Sequence, residues 1–126
     1  MKSITFTLVG LVVLAFMLAA CGGPANSGFP TGKFIKEGTD NYGLIFNEDG
    51  TFTVFSGAYT MVRATYTVEG NVLTETSNNG GCETNVNFNY TFDGSKLAFT
   101  YVGNPEDDAC EGRRADFNNV AYTLAE

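Results

Sequence analysis

From Phe29 to the C-terminus, short runs rich in Phe, Tyr, Val and Thr are separated at regular intervals by clusters of Gly, Asn and Asp. Within the runs, apolar and polar residues alternate with a period of two, the mark of strands that bury one face and wet the other. The run over 84–92 is the clearest: Val86, Phe88, Tyr90 and Phe92 interleave with Asn87, Asn89 and Thr91. Leu97, Phe99 and Tyr101 repeat the period in the next run. No segment sustains a helical period over three turns. The pattern predicts an all-β domain of eight strands, at 32–36, 42–47, 51–56, 61–68, 71–76, 84–92, 96–102 and 118–124.

Three connections carry hairpin chemistry. Glu48-Asp49-Gly50, Glu69-Gly70-Asn71 and Asp93-Gly94-Ser95 each put a glycine where a tight turn requires positive φ. They join strands two to three, four to five and six to seven, so in an antiparallel up-and-down meander all three fall at one end. The remaining connections, 37–41, 57–60, 77–83 and 103–114, fall at the other. The last two carry Cys82 and Cys110, which brings both thiols to one rim, close enough to bridge. An eight-stranded meander removes its exposed edges by closing into a barrel.

In that layout the chain resembles the calycin and lipocalin-like barrels. The resemblance covers the whole domain in layout. In motif it rests on Gly32-Lys33-Phe34 at the start of the first strand, where those families carry Gly-x-Trp, and on Arg113-Arg114 before the last strand. Phe34 stands in place of the tryptophan. The Thr-Asp-Tyr motif of those families, found between later strands, is missing; Thr39-Asp40-Asn41-Tyr42 follows the first strand instead. The resemblance implies a closed end at the tight turns and an open mouth ringed by the longer loops. It also implies that Gly32, Phe34 and one of Arg113 and Arg114 close the barrel, with the guanidinium packed on the Phe34 ring. Adjacent residues of an extended segment point opposite ways, so one arginine is expected inside and the other in solvent.

The first twenty-eight residues differ in character. Met1-Lys2-Ser3 supplies one positive charge, 4–20 is an apolar run, and Leu18-Ala19-Ala20-Cys21 ends it. This is the layout of a secretory leader, and its end resembles the bacterial lipobox, in which the cysteine thiol takes a diacylglycerol and becomes the first residue of the mature protein. The run is also about as long as an uncleaved membrane anchor needs; the cysteine at its end favours cleavage and lipidation. Residues 1–20 are thus read as a lipoprotein signal peptide. Residues 21–28 hold nothing to bury and read as a tether spanning about 15 Å. Residues 29–126 form a single domain, expected in the cell envelope on the extracytoplasmic side of a bacterial membrane.

With Lys2 removed, six basic side chains remain against fourteen acidic ones, a net charge of −8. Such a surface repels nucleic acid and anionic lipid. Lipidation uses one of three cysteines, leaving Cys82 and Cys110 as an even pair in an oxidising compartment. A disulfide between them is worth about 3 to 4 kcal/mol in the chain-entropy model.

The absence of histidine removes Ser-His-Asp and Cys-His catalysis and histidine-ligated metals. Glu106-Asp107-Asp108 with Glu111 is the densest carboxylate group, and oxygen ligation of calcium is its functional reading. Its spacing does not match an EF-hand loop, and a solvated acidic loop beside Arg113 and Arg114 is the favoured reading. Asn89-Tyr90-Thr91 lies inside a strand and is not taken as a glycosylation site; 78–81, Asn-Asn-Gly-Gly, reads as a turn. No metal or cofactor is expected.

Phe34, Tyr42, Phe46, Phe52, Tyr66, Phe88, Tyr90, Phe92, Phe99, Tyr101 and Tyr122 fall at inward positions. They either line a cavity or fill a barrel whose interior eight strands leave only wide enough for side chains. A filled lower half and a small recess at the mouth are expected, with Tyr42, Tyr66, Phe88, Tyr90, Phe99, Tyr101 and Tyr122 as the ligand-lining set. The expected function is non-enzymatic binding of a small, partly apolar ligand at the open end. The alternative is a protein-interaction or inhibitor module that uses the rim loops.

The anchor has a direct test. Cys21→Ser should abolish incorporation of labelled fatty acid and leave the protein detached or unprocessed; a wild-type chain that takes up no label removes the lipobox reading.

Overall fold

A computed structural model describes residues 28–77 and 82–126. The expected leader, the lipobox cysteine Cys21, the tether as far as Ser27 and the turn at 78–81 lie outside the described residues.

Eight strands, β1 (Gly32–Lys36), β2 (Tyr42–Phe46), β3 (Thr51–Ser56), β4 (Tyr59–Glu69), β5 (Val72–Ser77), β6 (Val86–Phe92), β7 (Lys96–Tyr101) and β8 (Val120–Leu124), form one closed antiparallel barrel. Each strand pairs with its neighbours in sequence, and β8 returns to β1 through Phe34 opposite Leu124 and Lys36 opposite Tyr122. This is the meander the alternation predicts, with the tight turns at one end. Gly50, Gly70 and Gly94 adopt φ of 86°, 60° and 103° in those turns. In the last of them Asp93 Oδ1 accepts bonds from the Ser95 and Lys96 amides at 2.9 and 2.7 Å, an aspartate turn that sets the hairpin register.

Inward residues of every strand meet in the lumen and fill it. Phe34, Leu44, Leu73, Phe88, Leu97 and Tyr122 have no measurable solvent exposure. At the tight-turn end Phe29, just before β1, closes the floor. Its ring lies 5.0 Å from that of Phe46, 5.4 Å from Tyr66 and 4.8 Å from Tyr90. The Tyr66 and Tyr90 hydroxyls donate to the turn carbonyls of Asn47 and Gly70 at 2.7 and 3.1 Å. The described chain therefore enters the fold at its closed end.

The mouth departs from expectation. The segment expected as loop over 103–114 holds a 3-10 turn, Pro105–Asp107, and the start of a helix, α1, Glu111–Phe117, that runs on past it. Two turns are too short for a helical period to register against noise, and too short to be stable alone. The helix exists because Arg113, Asp116 and Phe117 bury one face of it. Phe117 plugs the mouth, stacked on Phe88 with centroids 4.5 Å apart and edge-on to Phe99 at 4.9 Å. A Cys82–Cys110 disulfide, Cα atoms 5.2 Å apart, ties the start of the helix to the β5–β6 connection, as the shared rim predicts. Among the described residues no helix is long and apolar enough to cross a membrane.

One close backbone approach constrains the β1–β2 pair. Gly43 lies opposite Ile35, and a Cβ placed there would sit 1.8 Å from the Phe34 carbonyl oxygen. Gly112, in α1, has open space around the same position. Gly43→Ala should lower stability in denaturant unfolding by about 1–3 kcal/mol through overpacking. Gly112→Ala should be neutral or raise it by up to about 1 kcal/mol. Equal midpoints for the two variants would contradict the close approach.

Candidate functional site

The lid over the mouth is built on one guanidinium. Arg113 Nε and Nη2 donate to the two oxygens of Asp108 at 2.8 and 2.7 Å. Nη1 donates to Glu75 Oε2 at 2.6 Å and to the carbonyls of Cys82 and Thr84 at 3.1 and 3.0 Å. Asp108 also accepts from the Tyr101 hydroxyl at 2.7 Å and from the Cys110 amide at 3.0 Å. Burial pushes the Asp108 carboxyl up, but the bonds from Arg113, Tyr101 and Cys110 outweigh it and bring its pKa down to about 2. For Glu75 the balance reverses. Burial dominates, and the bonds from Ser77 and Arg113 do not bring its carboxyl back to the ordinary range, so its pKa is raised. Asp108 takes two of the guanidinium's bonds and Glu75 one, so Glu75 is the less compensated of the two carboxylates.

A second polar cluster pins the other end of α1. Asp116 accepts the Tyr42 hydroxyl at 2.8 and 2.9 Å on its two oxygens, and Lys36 Nζ stands 3.5 Å away. Lys36 Nζ also donates to the Ala115 carbonyl at 2.9 Å, and the Tyr122 hydroxyl donates to the Asp116 carbonyl at 2.8 Å. Burial raises the Asp116 carboxyl above its usual range, opposed by Tyr42 and Lys36.

Between these clusters lies a half-open recess of about 570 Å³. Phe52, Val54, Val62 and Phe117 give it an apolar lining, Tyr42, Glu75, Ser77 and Asp116 a polar one, and the start of α1 forms one side. A β-bulge shapes the rim: Val54 faces Val62 while Phe55 faces Thr60, so Met61 is the extra residue. Bulges re-aim side chains beside sites. Met61 lines the recess and is 58% exposed, next to Tyr59 at 77%.

Of the ligand-lining set expected from sequence, only Tyr42 reaches this recess. Phe88, Phe99 and Tyr122 are packed in the core, and Tyr66 and Tyr90 form the floor with Phe29. Tyr101 lines a separate depression of about 410 Å³ with Asn85, Asn87 and Asp108. The lumen is too narrow for inward rings to do anything but touch one another.

The expected closure contact is not formed either. Gly32 opens β1 at φ 118°, but the Phe34 ring sits edge-on to Phe46 and Phe92 at 6.2 and 6.1 Å. Arg113 is on the lid at the mouth, because the segment before β8 turns helical there. Arg113 is buried and Arg114 half-buried, so the pair still divides between inside and outside, on a helix rather than on extended backbone. Arg114 donates to the Asp108 carbonyl at 2.7 Å. The acidic loop is corrected at one residue: Asp108 is buried and ion-paired, whereas Glu106, Asp107 and Glu111 are exposed.

Glu75 and Ser77, absent from the expected site residues, carry a usable signal in the sequence. Counting in twos from Leu73 points both inward, a polar break in an apolar face. Asp116 and Phe117 had no such signal, since they sit on a helix that only the mouth stabilises. No family model, characterised protein or solved structure matches the chain.

Arg113→Ala should lower stability by about 3–5 kcal/mol, the cost of leaving Asp108 and Glu75 buried without their counter-ion. Arg114→Ala removes one bond to a backbone carbonyl and should cost about 1 kcal/mol or less. Thermal and denaturant unfolding of the two variants compares them directly, and similar small losses would exclude the guanidinium as the anchor of the lid.

Proposed function

We propose that this chain is a cell-envelope lipoprotein, held to a membrane through Cys21, whose barrel binds a small, partly apolar ligand at its mouth without transforming it. The observation that carries the binding reading is the recess beside α1. Its volume of about 570 Å³ falls in the range of small-molecule sites, and its apolar lining with a few placed polar groups is what such sites present. The lumen itself is full, so the site belongs to the rim. Each buried carboxylate beside the recess is held by its own partners, Glu75 by Arg113 and Ser77, Asp116 by Tyr42 and Lys36. Such groups orient a ligand better than they shuttle its protons. The described chain begins at the closed end of the barrel, opposite the recess.

A protein partner is the second reading, favoured by Tyr59 and Met61, which stand exposed together on the β3–β4 hairpin at the rim. Native mass spectrometry of the protein isolated from its host separates the two. A co-purified small molecule, lost when Val62→Phe fills the recess, supports the ligand reading. A protein adduct that survives Val62→Phe and is lost in the Tyr59→Ser/Met61→Ser double variant replaces it with the partner reading.

A further inference from the structure

We propose that the ligand taken by the recess is an organic cation, a protonated amine carried on a flat apolar body. This rests on the reading of the recess as the binding site and narrows its ligand class. The lining side chains present acceptor capacity and no spare donor. Arg113 is the cation among them, and its N–H groups are engaged by Asp108, Glu75, the Cys82 and Thr84 carbonyls and Thr84 Oγ1. The Tyr42 hydroxyl donates to Asp116 and the Ser77 hydroxyl to Glu75. An anionic head group therefore meets no free side-chain donor.

The carboxylates are in the opposite position. An ionised carboxylate accepts about four hydrogen bonds. Glu75 accepts from Ser77 and Arg113, and Asp116 from Tyr42 and Lys36, so both retain lone pairs. Glu111, at the start of α1, adds an exposed carboxylate to the same lining. The apolar side supplies the rest of the match. Phe52 and Phe117 lie buried beneath the recess, and the apolar contact open to a flat body is made by half-buried Tyr42 and Val62 and exposed Met61. Lys36 Nζ stands 5.3 Å from the Tyr42 ring centre, so that ring already meets one cation and the attraction for a second comes from the carboxylates.

Binding should consume no protons and release some. The groups facing Glu75 are Ser77 on its own strand and Arg113 on α1, with Asp108 behind. Those facing Asp116 are Tyr42 on β2, Lys36 on β1 and Tyr122 on β8. Both carboxyls are raised by burial. A raised carboxyl holds its proton to higher pH and presents its charge only above that point, so amine affinity should rise as the pH is raised above the ordinary carboxylate range.

The test is calorimetric titration of the full chain in lipid nanodiscs, against empty discs, with 1-naphthylmethylamine, 1-naphthalenemethanol and 1-naphthoate. The three share one apolar body and differ in charge. The amine should bind about tenfold or more tightly than the alcohol at pH about 7.5, and the naphthoate weakest. That advantage should shrink on acidification while alcohol binding stays constant, and Asp116→Asn should reduce amine affinity and spare the alcohol. The wild-type pH series decides the matter by itself if the variant does not fold. Equal binding of all three, or preference for the naphthoate, overturns the cation and leaves the ligand reading standing. No binding by any of them overturns both.

Discussion

A guanidinium that cannot give up its proton is held out of water at the mouth of this barrel, and the arrangement of that end follows from it. Arg113 needs counter-charge, and Asp108 supplies it through a two-point contact while Glu75 on β5 makes a second ion pair. Asp108 lies just before α1 and Glu75 lies on β5, so the cation joins the lid to the barrel. Once joined, Phe117 is carried into the lumen and Cys110 is brought beside Cys82. A buried ion cluster of this kind adds little net stability compared with an apolar equivalent, because desolvation offsets most of its attraction. Its contribution is to determine where the lid sits.

That placement separates two tasks. The lumen is packed with rings from the floor at Phe29 to the plug at Phe117, and supplies cohesion to a domain with few residues. The recess is left at the rim, where the helix does not cover the ends of β2 to β5. A binding site there can vary in shape through α1 and the β3–β4 bulge without opening the core.

The charge balance of the mouth has the same origin. Its cations are drawn into contacts with the protein itself: Arg113 with two carboxylates, Lys36 with Asp116 and the Ala115 carbonyl, Arg114 with the Asp108 carbonyl. The side-chain charge left without a cation of its own at the mouth is that of carboxylates, in keeping with the acidic character of the whole chain.

The fold was legible in the sequence because each strand repeats its side-chain pattern every two residues, and because Gly50, Gly70 and Gly94 mark turns that only glycine-rich segments make easily. Those local signals determine strand number, antiparallel pairing and which end holds the loops, and through that parity they bring Cys82 and Cys110 together. The lid was not legible. Seven residues of helix leave no period to read, and Arg113, Asp116 and Phe117 fold into α1 only because the mouth of the barrel offers each a buried partner. The tertiary structure alone decided that Phe34 meets other rings instead of an arginine, that Asp108 leaves the solvated loop, and that Glu75 faces a cation 38 positions away in the chain. Short-range alternation is a property of neighbouring residues and survives in the sequence; the pairing of buried charges depends on distances that exist only after the barrel has closed.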